Sequence, residues 1–94
     1  MSKEQLIKEL VSEGYLKTPS LIKAFQRIDR ADFVLPEYKS EAYFDYPLSI
    51  GYGQTISQPL TVAFMLELLE PRLGDKVLDI GAGSGWQTAL LAHL

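Results

Sequence analysis

The sequence contains no cysteine and a single histidine, His93. Disulfides and thiolate metal sites are therefore excluded, and one imidazole alone cannot build a zinc site. No uninterrupted apolar run is long enough to cross a bilayer. The opening MSKEQLIKEL alternates charged and apolar positions, so it is neither a signal peptide nor a membrane span. Lysines and arginines are scattered among acids at a net charge of −3. Nucleic-acid binding normally needs a clustered basic face, and none is visible. No segment repeats. These absences favour a cytoplasmic protein with no metal, no nucleic-acid partner and no membrane partner.

What is present is bulk. Of 94 residues, 47% are apolar and 11% aromatic, a composition that is globular in character. A chain of this size is one domain at most, and it buries a smaller share of its surface than a domain of ~150 residues. Its stability as an isolated unit is expected to be marginal.

Helix signals open the chain. Ser2 with Gln5 matches a capping box, Leu6, Ile7, Leu10 and Val11 recur at helical spacing, and Gly14 is a natural stop. Thr18-Pro19 repeats the start signal as a capping hydroxyl followed by Pro at the first helical position. Leu21, Ile22, Phe25 and Ile28 form one stripe, and this second helix fades near Asp29. From Ala31 to Pro59 no period is sustained, and prolines, glycines and aromatics dominate. This reads as a long ordered loop with a short strand around Leu48 to Ile50. Loops of such length are uncommon in compact domains and are often functional. Tyr43, Phe44, Tyr46 and Tyr52 are expected to pack within it. Pro59 starts a third helix with Val62, Ala63, Leu66 and Leu69 on its apolar face, and Pro71 ends it. A turn over residues 72–75 leads into an apolar strand at about 76–80, of the kind covered on both faces in a parallel sheet. A last helix runs from Trp86 to Leu94. Its Leu90, Leu91 and Leu94 are expected to be exposed.

Between strand and last helix lies Gly81-x-Gly83-x-Gly85. Strand, glycine turn and helix let a small ligand lie against main chain, and glycine supplies dihedrals that other residues avoid. A dinucleotide fingerprint needs its third glycine one place later, where Trp86 stands. A phosphate loop would need Lys after Gly85. Asp79, at the strand's end, repels phosphates but suits a ligand carrying an ammonium and a sulfonium. The plainer alternative is a tight strand–helix turn with Asp79 as an exposed cap.

The string V-L-D-I-G-x-G-x-G resembles the first motif of class I S-adenosylmethionine-dependent methyltransferases. The loop Gly51-Tyr52-Gly53-Gln54-Thr55-Ile56-Ser57-Gln58-Pro59, followed by a helix and then that motif, narrows the likeness. It resembles the protein-L-isoaspartate O-methyltransferase family. Arg30-Ala31-Asp32-Phe33-Val34 and Asp45-Tyr46-Pro47-Leu48 look like upstream segments of the same family, so the likeness covers essentially the whole chain. It implies the N-terminal part of a Rossmann-like α/β fold, mostly helical here with one core strand. It implies S-adenosyl-L-methionine as cofactor, held at Asp79, Gly81, Ala82, Gly83, Ser84 and Gly85. It places Thr55, Ile56 and Ser57 at the substrate, with the Ser57 hydroxyl contacting the substrate carboxylate. Isoaspartyl proteins and peptides are then the substrates, and the chemistry is repair of damaged proteins by methylation.

The chemistry agrees with the residues. A carboxyl with a pKa of ~4 is already an anion near neutrality, so methyl transfer to it needs no general base. Ser57 and main-chain N–H groups at the start of the Pro59 helix are candidate donors to that anion. For Ser57 the plainer alternative is a helix cap.

The expected organisation is a single incomplete domain over 1–94. Residues 1–30 form a helical pair, 31–58 a covering loop region, and 59–94 a helix, the first core strand and the cofactor corner. The acidic residue that grips a cofactor ribose lies ~20 residues past such glycines. The chain is therefore expected to be an N-terminal fragment. The full-length enzyme is expected to be monomeric and the fragment to self-associate. Two alternatives stand beside this: a class I methyltransferase with another acceptor, and a catalytically inactive, self-associating fragment.

Overall fold

The computed structural model describes residues 1–72, 74–76 and 83–94. Its elements are α1 (Lys3–Ser12), α2 (Pro19–Arg27), short 3-10 turns at Arg30–Phe33 and Pro36–Glu41, β1 (Leu48–Gly51), β2 (Gln54–Ile56), α3 (Pro59–Leu69) and α4 (Trp86–His93). The expected core strand at 76–80 lies, apart from Lys76, outside the described residues.

Both ends of α1 form as the sequence signals. Ser2 Oγ accepts the Gln5 N–H at 3.1 Å, and Gln5 Oε1 accepts the Ser2 N–H at 2.8 Å, a reciprocal capping box. At the other end the Tyr15 N–H donates to Leu10 O and the Gly14 N–H to Val11 O. Gly14 is left-handed at φ 81°, so the pair of bonds is a Schellman stop. Lys3 then fastens α1 to the end of α2 through Asp29 Oδ1 at 2.6 Å and Gln26 O at 2.7 Å.

α2 begins with Pro at its first position, as expected, but Thr18 does not cap it. The Thr18 hydroxyl instead donates to Glu67 Oε1 at 2.6 Å, while Glu67 Oε2 accepts the N–H groups of Lys17 and Thr18 at 2.6 and 2.7 Å. A carboxylate from α3 therefore satisfies the chain entering α2. Burial acts to raise the Glu67 pKa, yet the donors from Thr18 and Lys17 outweigh it and hold the carboxyl below its usual value.

The long segment expected to be an irregular loop is more structured than that. Two 3-10 turns occupy its first half, and a hairpin occupies its second. The expected strand near Leu48 to Ile50 is β1. Its partner β2 falls on residues expected to be loop, and the two pair antiparallel.

One apolar core joins the elements. Leu6, Ile7 and Leu10 of α1 meet Leu21, Ala24 and Phe25 of α2, Leu48 and Ile56 of the hairpin, Val62, Ala63 and Leu66 of α3, and Trp86 and Leu90 of α4. α2 is central, packing against both α1 and α4.

Two expectations about burial are corrected. Leu90 is fully buried, and Leu91 and Leu94 pack partly buried against the core, because α2 packs against α4, with Phe25 on Trp86. Leu69 is exposed, because the inward stripe of α3 runs through Pro59, Val62, Ala63 and Leu66 and next falls on Glu70. That residue leaves the helix with φ 52°.

Candidate functional site

The hairpin sets the directions of the candidate substrate residues. Leu48 pairs with Ile56 and Ser49 with Thr55. Side chains alternate along a strand, so Leu48 and Ile56 enter the core together while Ser49 and Thr55 face outward. Ile56 is buried, so its main chain rather than its side chain is what it offers a ligand. Ser57, the next residue, is again exposed.

The hairpin turns at Tyr52 and Gly53, with φ of 55° and 69°, after a bulge at Gly51 with φ 90°. Two successive positive φ values are the signature of a tight primed turn. Tyr52 stands at its tip with its side chain fully exposed. The expectation that Tyr52 packs within the loop is thereby corrected: a left-handed turn residue is thrown clear of both strands. Phe44 and Tyr46, each a little over one-third exposed, pack edge to face on each other. Tyr43 is the one that reaches inward. Burial first, and then the Asp29 charge, push its phenol up to about 12. Its hydroxyl donates to Asp29 Oδ1 at 3.2 Å.

Ser57 does not act as a helix cap. Gln58 is the N-cap of α3 and makes no side-chain capping bond. The Leu60 N–H donates instead to Asp45 Oδ1 at 2.8 Å, so a carboxylate from the loop serves the helix start. Pro59 has no N–H to give and that of Leu60 is committed. The start of α3 therefore offers a substrate fewer amides than the sequence suggested. Among the described residues the Ser57 hydroxyl has no partner, while its carbonyl is held from behind.

That hold comes from Arg30, which is 1% exposed. One of its terminal nitrogens donates to Ala42 O at 2.7 Å and Phe44 O at 3.4 Å. The other donates to Tyr46 O and Ser57 O at 3.0 Å each. Burial pushes the Arg30 pKa down to about 10, with the Asp45 charge opposing that shift. The side chain therefore stays a cation near neutrality. The upstream segments around Arg30 and Asp45 are thus one hydrogen-bonded unit. The sequence assigns neither residue a role of its own, and the family-like segments Arg30–Val34 and Asp45–Leu48 that carry them are the signal that points to them.

The described half of the glycine corner is Gly83, Ser84 and Gly85. Gly83 and Gly85 are both left-handed, at φ 56° and 85°. Among the described residues an added Cβ at Gly85 would meet only the Phe33 ring at 3.9 Å, so with respect to these space is not the constraint. The backbone dihedral is. Ser84 Oγ accepts the Trp86 N–H at 3.3 Å, which turns that side chain back onto α4. The remaining main chain of two glycines ahead of a helix start is what a small ligand packed against backbone requires. Asp79, Gly81 and Ala82 lie outside the described residues. Trp86, which opens α4, is buried, edge to face with Phe25 at 5.6 Å and 5.4 Å from the Arg30 guanidinium.

The profile of the protein-L-isoaspartate(D-aspartate) O-methyltransferase family matches residues 1–94. The chain belongs to that family. A protein-L-isoaspartate O-methyltransferase of Aeropyrum pernix is 50% identical over 90 residues, which is 96% of this chain and 35% of the relative. One of Ignicoccus hospitalis is 48% identical over 92 residues, 98% of this chain and 44% of the relative. The chain thus spans less than half the length of these protein-L-isoaspartate O-methyltransferases. A family structure from Plasmodium falciparum, crystallised in complex with S-adenosyl-L-homocysteine, superposes with a TM-score of 0.85 at 26% identity. The match covers 98% of this chain and 41% of that one. The arrangement of helices and hairpin is that of the N-terminal part of the Rossmann-like methyltransferase fold.

Proposed function

We propose that this chain contributes the substrate arm and cofactor corner of an enzyme that methylates the side-chain carboxylate of L-isoaspartyl residues in damaged proteins and peptides. The observation that carries the reading is Ser57. It is exposed, its carbonyl is anchored by Arg30, and its hydroxyl is not spent on capping α3 because Asp45 does that work. The complex of the Plasmodium relative with S-adenosyl-L-homocysteine, the product left after methyl donation, supports the cofactor.

In this reading residues 31–58 cover the site, 59–94 carry the cofactor corner and 1–30 brace both. Asp79, Gly81, Ala82, Gly83, Ser84 and Gly85 hold S-adenosyl-L-methionine, the glycines by letting main chain approach and Asp79 by attracting its ammonium. When bound, that group supplies a methyl on a positively charged sulfur, which a carboxylate oxygen takes as the carbon–sulfur bond breaks and sulfur keeps the electron pair. Thr55 and Ile56 flank the substrate, Ile56 through its main chain. The Ser57 hydroxyl donates to the carboxylate and fixes its direction. The carboxylate is ionised without help, so the protein's part is alignment and exclusion of water. No titrating base is required.

The proposal includes a cytoplasmic setting, in keeping with the absence of cysteine. Among the described residues no helix is long and apolar enough to cross a membrane. Incubating the protein, at its full natural length, with labelled S-adenosyl-L-methionine and an isoaspartyl peptide tests the function. Base-labile label on the peptide is expected. Label appearing only on a nucleic acid or a small molecule would sink the substrate assignment and leave a methyltransferase with another acceptor.

A second reading concerns the 94-residue polypeptide by itself. Phe64, Met65, Leu68 and Leu69 of α3 are all exposed, an apolar face that favours self-association. Sedimentation of this polypeptide is expected to show a concentration-dependent oligomer. A monomer at every concentration would remove that reading.

A further inference from the structure

We infer that Arg30 is a positioning residue that holds the Ser57 arm in register with the glycine corner. The inference rests on the methyltransferase reading above, since register matters only if both parts serve one reaction.

A buried cation is a costly way to fill a core. Replacing buried charge with a well-packed apolar side chain is often neutral or stabilising, so packing alone does not explain Arg30. What an apolar group could not do is fix directions. The four acceptors of Arg30 are all main-chain carbonyls: Ala42, Phe44 and Tyr46 from the covering loop and Ser57 from the arm. Two nitrogens of one rigid plane reach these separate stretches, a division that guanidinium geometry permits and a lysine ammonium does not.

The same group reaches the other half of the site. Its central carbon lies 5.4 Å from the centroid of the Trp86 ring, within the range of cation–π attraction. Trp86 is the residue directly after Gly85. A single guanidinium thus lies against loop, arm and corner. The Ser57 hydroxyl belongs to the same residue as the carbonyl that Arg30 holds, so its place relative to residues 83–85 follows from Arg30. Asp45 completes the bracket by tying the same loop to the start of α3.

In-line transfer is sensitive to such register, and a misplacement of ~1 Å costs about 10²-fold in rate. The test uses the full-length protein with Arg30→Lys and Arg30→Met. Thermal unfolding, S-adenosyl-L-homocysteine affinity, and kcat and KM on an isoaspartyl peptide are measured for each. Both variants are expected to remain folded and to bind S-adenosyl-L-homocysteine, while kcat/KM for the peptide falls about 10²-fold. Arg30→Lys is not expected to restore it, and amide hydrogen exchange is expected to quicken over residues 42–58 but not over α1. A role in the core alone would instead lower stability and leave the turnover of the folded fraction unchanged. That result, or unfolding of both variants, would overturn the inference. An unsubstituted protein that transfers no methyl to the peptide would refute the function instead. The exchange pattern would then decide Arg30 independently, and unchanged exchange over 42–58 would overturn its role.

Discussion

The guanidinium carbon of Arg30 lies 5.4 Å from the centroid of the Trp86 ring, and that ring forms an edge-to-face pair with Phe25. Trp86 is the sequence's single tryptophan. Its emission therefore reports on the first turn of α4, directly after the glycines. Titration with S-adenosyl-L-homocysteine is expected to change that emission saturably. Emission that stays constant while binding is demonstrated by calorimetry would place the ligand away from residues 83–85.

Ser57→Ala removes a hydroxyl that holds nothing together among the described residues. Unfolding should therefore be nearly unaffected. Loss of one donor aimed at the reacting group is expected to lower kcat/KM on an isoaspartyl peptide by about 10²-fold. Steady-state kinetics beside a melting curve separates the two effects. A variant equally active and equally stable would return Ser57 to the role of a linker.

Glu67→Gln weakens the bond network that receives α2. The expected loss is about 1 kcal/mol, since charge-assisted bonds at a partly exposed site are diluted by solvent. The donors hold the Glu67 carboxyl below its usual value, so the sign follows directly. The stabilisation is fully present above the unfolded pKa of about 4.3 and is lost as pH falls through the lowered folded value. Parent and variant should therefore differ at neutral pH and converge in acid. Denaturant unfolding across that range checks it, and a difference that persists in strong acid would contradict the charge-based account.

At the hairpin tip, Tyr52 adopts a φ of 55° with its side chain in solvent. A left-handed conformation costs an ordinary L-residue about 1 kcal/mol, and asparagine tolerates it better. Tyr52→Asn is expected to stabilise the protein by a large part of that amount. Chemical unfolding measures it. Destabilisation would mean that the ring makes a contact that outweighs the backbone cost.

The helices were legible because their signals are local. Ser2 with Gln5, Gly14, and Pro at 19 and 59 each act within a turn of where they stand. The hairpin was half legible: β1 showed as a short strand, but Tyr52-Gly53 is not the Asn-Gly pair that usually announces a primed turn, so β2 stayed hidden. The burial of Leu90 could not be read from α4, because α2 supplies its cover from far along the chain. Arg30 was hardest. An arginine in a sequence reads as surface, and its partners here are carbonyls, which every residue carries and no sequence displays. Thr55, Ile56, Ser57 and the glycines were read from motif likeness rather than from periodicity. Ser57 reads from sequence as either a helix cap or a substrate donor, and the bond from the Leu60 N–H to Asp45 removes only the first of these roles.

The central claim is tested most directly by offering the full-length protein two peptides that differ only in whether one residue is L-isoaspartyl or ordinary L-aspartyl. Base-released methanol is measured beside S-adenosyl-L-homocysteine formed. Equal amounts of both products with the isoaspartyl peptide, and neither with its aspartyl twin, are expected. Equal methylation of the two peptides, or of neither, would contradict the account.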